Sequence, residues 1–514
     1  MRSLLLLPLV VGACVRPATQ ARFADKPIVV ATDDERPIAE PKESTYYARF
    51  YLLDKLAFDP LVEVFDRPQS KPALDPNALD ELPNSTWFTN RIGMRDVGID
   101  EAIQANSDDG PPQPPLTIVH AKYGGGNPGF IATDARGVKY LFKFDTKQNP
   151  GQQTANDAIV SRILWTAGYN TSAESIAYFR RDELTIASKL SGKFTAKHLD
   201  AMLEEATMRG EQIRATASRL LDGKPKGGWP LYGTRDDDPN DRVPHERRRA
   251  IRGLRVFNAW LNHTDMKIDN TLDMYVGAPG EGHIVHYLID FGEALGGHQS
   301  ENRTLSIGYE YAFDYKQSLK AMFAFGLWHR RWELQHDTGW KEVGYFGTGT
   351  FDPTRWKERY PYAPLHLADR ADEYWAAKIV MRFDRPLITA LVHQGELVDA
   401  GAERYLVETL LARREAIGRA YLDEVTPYDN IELSSGGVCG VDLARHYGIA
   451  TDGQLEVDGV AHPIDADGRA CAALSMAPGY HVAKIRIARK KHTTRTLEVH
   501  YIGGDEPRVV GLVR

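Results

Sequence analysis

The stretch from Leu261 to Gly292 constrains this chain most. It contains His263-Thr264-Asp265-Met266-Lys267-Ile268-Asp269-Asn270, two short apolar runs joined by a Gly-rich turn at 277–282, and then Asp290-Phe291-Gly292. A carboxylate near an attacking oxygen, with an amide and a second carboxylate as hard oxygen ligands for a metal, is the group set of phosphoryl transfer. Val285 to Ile289 reads as a strand, so Asp290 emerges at a strand end. Taken alone, 263–270 equally fits a helix C-terminal loop in which Asp and Asn cap neighbouring turns.

Upstream residues add a phosphate grip. Gly124, Gly126 and Gly129 fit Gly-x-Gly-x-x-Gly between the strand-like Leu116–Val119 and Phe130–Thr133. In a dinucleotide site that motif opens a helix. Here a strand follows, which favours a glycine loop folded over phosphates. Lys143 lies between Phe142 and Phe144 on the next strand and points to the face opposite both aromatics. It either reaches nucleotide phosphates or is an exposed strand residue. Thr154 to Ala167 has helical spacing, with Ala155, Ile159, Ile163 and Thr166 on one face and Gly168 at its end. Asp157 on that helix is the acidic candidate to pair with Lys143.

The pattern His263-x-Asp265-x-Lys267-x-x-Asn270 resembles the catalytic loop of protein kinases, with Thr264 where many kinases carry Arg. The run from His286 to Gly292 resembles the corresponding stretch of phosphatidylinositol kinases. Together with the glycine loop and Lys143, these segments resemble atypical members of the protein-kinase-like superfamily over roughly residues 116–300 of 514. The resemblance implies an α+β fold: a two-lobed kinase-like core with a small antiparallel N-lobe sheet and a helical C-lobe. It implies ATP with Mg²⁺ or Mn²⁺, held by Gly124, Gly126, Gly129, Lys143 and Asp157 and by the metal ligands Asn270 and Asp290. Asp265 would orient or deprotonate an acceptor hydroxyl, Lys267 would neutralise transferred charge, and His263 would brace the loop. The acceptor is a protein, lipid or small-molecule hydroxyl. A catalytically silent nucleotide-binding scaffold and a nucleotidyl transferase remain alternatives. No Ala-Pro-Glu follows Asp290, so the standard substrate-binding lobe is not recognisable.

A net charge of −7, with no basic stripe, argues against a nucleic-acid partner. Met1-Arg2, the apolar run Leu4 to Val11, and Val11-Gly12-Ala13-Cys14 resemble a bacterial lipoprotein signal. Acylation at Cys14 would anchor an exported chain to the cell-envelope membrane; the alternative is an ordinary secretory signal with an incidental Cys. That run is too short to span a bilayer. Cys439 and Cys471 either form a disulfide in an oxidising compartment or remain buried thiols. Asp236 to Asp241 lacks the alternation of a calcium loop and reads as a solvated acidic loop. His283, His286 and His298 match no ligand spacing, and Gly-x-Ser-x-Gly and His-Glu-x-x-His motifs are absent.

The chain divides into a signal at 1–14, a linker at 15–45, an extension at 46–115 packed on the core, a kinase-like domain at 116–425 and a small all-β, sandwich-like domain at 426–514. Helices are expected at Ala196–Leu221, His245–His263, Tyr315–Leu327, Tyr374–Val392 (broken near Pro386) and Ala402–Leu422. Hairpins are expected at 175–179 with 183–187 and at 271–276 with 284–291.

Overall fold

Alternation between Leu116 and Lys143 produces an antiparallel meander of β1 (Leu116–Lys122), β2 (Gly129–Thr133) and β3 (Lys139–Lys143). These elements belong to a computed structural model that describes residues 21–44, 58, 71–122, 129–190, 192–298, 305–325 and 327–514. Cys14 and the rest of the expected signal, Gly124, Gly126, and parts of the linker and extension lie outside the described residues. The fold is mixed α/β, with a seven-stranded sheet, two three-stranded sheets and a five-stranded sheet among the described residues.

The large sheet is completed by β4 (Glu174–Phe179), β5 (Leu184–Ile186), β6 (Met208–Arg209) and β7 (Gln212–Arg219), in the order β4-β7-β3-β2-β1-β5 with β6 beside β7. The expected hairpin of 175–179 with 183–187 does not form. β4 and β5 sit at opposite edges, and β5 runs parallel to β1, so the sheet is not purely antiparallel. This forces curvature. Six strands laid flat span about 24 Å edge to edge, whereas the five Cα steps from Phe179 to Leu184 reach at most about 18 Å. The sheet therefore curls around Phe130, Phe142, Phe144 and Phe179, whose rings contact one another at centroid distances of 5.3–6.5 Å. Leu199 and Leu203 of the helix Ala196–Glu204 join this core.

That helix was expected to reach Leu221. It stops at Glu204, Gly210 turns the chain at φ 63°, and 212–219 becomes β7 between β3 and β4. Central insertion buries most of the segment and outweighs its Ala- and Arg-rich helical propensity.

Helix α1 (Ile99–Gln104) precedes the sheet, and α2 (Gln152–Ala167) follows β3. Burial is not confined to one face of α2; every residue except Trp165 is buried. The helix Ala196–Glu204 is α3. The expected helix 245–263 is broken, because Arg248 is extended (φ −91°, ψ 123°) and only α4 (Leu254–Leu261) runs into the opening stretch. Arg248 instead lies over Trp87 at 4.4 Å and pairs with Asp241 at 2.6 Å. This corrects the reading of 236–241 as solvated in part: Asp236 and Asp237 are exposed, but Asp238, Asn240 and Asp241 are buried, and Asp241 also holds His245 at 2.7 Å.

Helix α5 (Tyr315–Phe323) is shorter than expected. α6 (Arg370–Met381) and α7 (Arg385–His393) part where Asp384 caps the Leu387 N–H at 3.0 Å and Pro386 occupies the first turn. With α8 (Ala400–Tyr421), they enclose a second apolar core with α2, α4, Trp87 and Phe88. The short strand β8 (Lys224–Pro225) adds to the hairpin of β9 (Thr271–Val276) and β10 (His283–Leu288).

Beyond Thr426 two sheets share a third core that includes Tyr428, Val438, Leu455, Ile485 and Val499. One contains β11 (Tyr428–Ser434), β12 (Gly437–Asp442) and β15 (Arg469–Ala472). The other contains β13 (Gln454–Val457), β14 (Val460–Pro463), β16 (Gly479–Ala488), β17 (Leu497–Gly503) and β18 (Arg508–Val513). Cys439 and Cys471 lie opposite each other on β12 and β15 and are joined by a disulfide.

Gly129 is set by close approach: a Cβ there would stand 2.2 Å from the Phe142 carbonyl oxygen. Gly129→Ala should therefore cost about 2–4 kcal/mol in chemical denaturation, while Gly98→Ala, with nothing within 4 Å of the added Cβ, should stay within about 0.5 kcal/mol.

Candidate active site

The site is built on α2. Gly151 takes φ 74° to enter the helix, and the Asp145 carboxylate accepts the Gln153 and Thr154 N–H groups at 2.7 and 3.0 Å, satisfying donors that a helix N-terminus leaves unpaired. Gly168 closes the other end at φ 136°. On this fixed helix, Asp157 Oδ2 meets Lys143 Nζ at 2.7 Å, and Asp157 Oδ1 accepts the Phe291 N–H at 2.7 Å. The shorter Asp suffices because β3 and α2 bring the two groups together. Lys143 also pairs with Asp290 Oδ1 at 3.1 Å.

The three charged side chains differ in exposure: Lys143 7%, Asp157 2% and Asp290 48%. Lys143 is thus not the exposed strand residue that its sequence also allowed. Burial would lower its pKa, but Asp157 and Asp290 outweigh that and hold it well above the usual lysine range. Burial raises the Asp157 carboxyl, opposed by the Lys143 ammonium. That ammonium chiefly brings Asp290 down to about 2. Asp290 adopts φ 63°, a left-handed conformation that costs a non-glycine residue about 1–3 kcal/mol and is maintained only by its surroundings.

Beside this cluster lies the loop after α4. Asn262 caps that helix at φ 49°, and its Oδ1 accepts the Trp356 indole N–H at 3.0 Å. His263 is buried 5.7 Å from the Phe291 ring, and burial lowers its pKa. It packs between the loop and Asp-Phe-Gly. Asp265 Oδ2 accepts from Lys267 Nζ at 2.7 Å and from Asn270 Nδ2 at 3.0 Å; Asn270 Nδ2 also donates to the Asp265 carbonyl at 2.7 Å. The Ile289 N–H donates to the Asn270 carbonyl at 3.0 Å, fixing this loop beside Asp290. With its amide hydrogens turned to Asp265, Asn270 presents Oδ1 as a hard oxygen donor.

Among the described residues, no group of three or more His, Cys, Asp and Glu could hold a metal alone. A carboxylate and an amide oxygen nevertheless suit Mg²⁺ or Mn²⁺ completed by phosphate oxygens and water. His283, His286 and His298 do not converge on a site: His286 bonds Asp273 at 2.7 Å and stacks on Trp87, whereas His298 meets Arg359 at 3.1 Å.

The sheet register aligns further parts of the site. Lys122 lies opposite Gly129, and Gly129 opposite Lys143. Lys122 was missed because it appeared only as the start of a Gly-rich segment. Burial, then proximity to Lys143, lowers its pKa, so β1 and β3 bring two lysines toward Asp290.

Glu293 and Arg359 were also missed. Glu293 directly follows Asp-Phe-Gly, the one signal that could have found it. Arg359 carries no local motif, yet its backbone N–H donates to the Thr264 carbonyl at 2.8 Å and its guanidinium pairs with Glu293 at 3.2 Å. Burial and then Asp265 push the Glu293 carboxyl up to about 7, opposed by Arg359. A carboxyl raised on folding binds its proton more tightly in the native state, so its contribution falls as pH rises from its unfolded value near 4.5 through about 7. Glu293→Gln should therefore gain stability relative to the parent as pH goes from about 5 to 8, by about 1–3 kcal/mol; paired denaturation curves across that range measure the gap.

No protein-family model matches the chain, and no curated protein matches it. Among solved structures, the chain is similar to the Golgi casein kinase with Mn/ADP bound at a TM-score of 0.30 and 12% identity, covering 64% of this chain and 78% of that one. A second structure of the Golgi casein kinase gives a TM-score of 0.32 and 12% identity, covering 77% of this chain and 96% of that one. Likeness this distant carries no assignment.

Proposed function

We propose that the chain is a kinase-like phosphotransferase using ATP and Mg²⁺ or Mn²⁺ on a hydroxyl acceptor. The observation that carries this reading is Lys143 held between buried Asp157 and half-exposed Asp290, beside the loop of Asp265, Lys267 and Asn270. The cation, when bound, would screen the phosphate charge; Asp290 and Asn270 are the residues that would hold it. Lys143, oriented by Asp157, would bind phosphate oxygens, with Lys122 and Gly129 lining the same strand ends. Asp265 would orient the acceptor hydroxyl and take its proton on a carboxylate oxygen. Lys267, already on Asp265, would offset charge on the transferred group. Gly124 and Gly126, outside the described residues, belong to the same proposed phosphate-binding set.

A second reading has one specific support. Asp265 Oδ2, one of its two carboxylate oxygens, already accepts two hydrogen bonds, which favours nucleotide binding without turnover. Anchoring through acylated Cys14 at the cell envelope also belongs to the proposal, and mass spectrometry of the mature N-terminus tests it.

Asp290→Ala should abolish an ATP- and cation-dependent rise in melting temperature, together with any phosphoryl transfer. Asp265→Ala should keep the thermal shift and reduce transfer or autophosphorylation about 10²–10⁴-fold. Unchanged turnover in Asp265→Ala would remove the assigned base. A nucleotide shift with no turnover in the parent would select the binding-only reading.

A further inference from the structure

A cleft of about 680 Å³ lies where the first turn of α6, the segment after α8 and the approach to β17 meet. Sites for small molecules have volumes of about 300–1,000 Å³ and favour the junctions between domains. This one joins the helical core to the C-terminal β domain and shares no residue with the candidate active site. Three guanidiniums line it from separate parts of the chain: Arg370 on α6, Arg495 before β17 and Arg514 after β18.

The three are not equivalent. Arg514 has a buried side chain that pairs with Asp80 at 3.4 Å and Asp429 at 3.2 Å. Half-exposed Arg370 pairs with Glu424 at 3.0 Å. Arg495 is exposed, and among the described residues no carboxylate pairs with it. Its backbone is nonetheless fixed, because the Thr426 hydroxyl donates to the Arg495 carbonyl. Next to it, the Thr496 hydroxyl oxygen accepts from Arg486 Nε at 2.7 Å, which leaves the hydroxyl hydrogen to be donated to a ligand. The two carboxylates on the wall are already engaged. Asp369 Oδ1 accepts the Ala371 and Asp372 N–H groups at 2.9 and 3.0 Å. Glu373 meets Arg255 at 3.4 Å, and burial pushes its carboxyl up to about 7.

The adjoining turn has the same sign of charge. Between β16 and β17 it contains Arg489, Lys490, Lys491 and Arg495. Arg489 is taken by Asp423 and Asp442, and Lys490 has Asp452 beside it. Lys491 is exposed and, like Arg495, has no carboxylate partner among the described residues. We propose that this cleft binds a small phosphomonoester, with Arg495 and Thr496 on the phosphate oxygens and the organic body against Ala368, Ala371 and Val425. A guanidinium matches phosphate oxygens in a bidentate fork. The phosphomonoester carries about two negative charges at pH 7, which Arg495 and Lys491 balance and a single carboxylate would not. No aromatic side chain lines the cleft, so it lacks the stacking surface that holds single-stranded nucleic acid.

The test uses the full chain carrying Cys14→Ser, so that no acyl group contributes, with no nucleotide present. Calorimetry follows its titration with inorganic phosphate, phenyl phosphate and tetraglutamate. Phenyl phosphate should bind saturably and about tenfold more tightly than inorganic phosphate, because its ring adds apolar contact. Arg495→Ala should weaken that binding at least about tenfold by removing a charge-assisted bidentate contact. If Arg495→Ala fails to fold, Ala368→Trp, which fills the cleft from the α6 side, should have the same effect and decides. No saturable binding of phenyl phosphate would overturn the proposal. So would equal affinity in the parent and the variant, which would put the anion elsewhere on the chain. Tetraglutamate binding more tightly than phenyl phosphate, with loss in Arg495→Ala, would also overturn it, since an acidic peptide would then be the occupant.

Discussion

Everything at the candidate site depends on one buried ammonium. Lys143 joins the last residue of β3 to Asp157 on α2 and to Asp290 after β10, and Asp157 continues the chain of contacts to the Phe291 backbone. The curled sheet and the helices have separate apolar cores. The apolar residues of α2 enter the helical core, while its polar side chains meet the sheet: Arg162 donates to the Glu174 carbonyl at 2.7 Å, and Arg214 of β7 reaches Thr154 at 2.9 Å. The joint between sheet and helices is therefore polar, and it forms at the site itself.

Stability alone gives a weak reason for such a joint. Replacing a buried ion pair with packed apolar residues is often neutral or stabilising, whereas deleting one partner costs about 3–5 kcal/mol. The left-handed backbone at Asp290 adds strain of about 1–3 kcal/mol. Both features place a carboxylate where it is half exposed yet electrostatically held ionised. A task that requires an oriented carboxylate beside a lysine accounts for both. Arg359 bears on the same question. Its backbone N–H holds the Thr264 carbonyl, while its guanidinium pairs with Glu293 directly after Asp-Phe-Gly. The 263–270 loop is thus braced from within the chain by a residue about 90 positions downstream.

Local pattern made much of this legible. The β1–β3 meander, the β9–β10 hairpin and the Asp265–Asn270 loop rest on alternation and on residue types at fixed spacing, and these survive folding. What sequence missed was set by distant contacts. The 212–219 segment has helix-compatible composition but becomes a strand because it is inserted between β3 and β4. The separation of β4 from β5 follows from curling around the phenylalanine core, which no local window contains. Asp241 looks like a solvent-facing acid until His245 and Arg248 arrive from a later turn. Lys143 could not be distinguished from a surface lysine before Asp157 and Asp290 were brought to it.

Lys143, Asp157, Asp290 and Asn270 are proposed to form a cation-dependent nucleotide site. Calorimetric titration of ATP into the parent chain, in Mn²⁺ and then in EDTA, tests it most directly. Saturable binding is expected with Mn²⁺, weakening at least about tenfold, or about 1.4 kcal/mol, when the cation is removed. Absence of binding with either Mn²⁺ or Mg²⁺, or equal binding in EDTA, would contradict it.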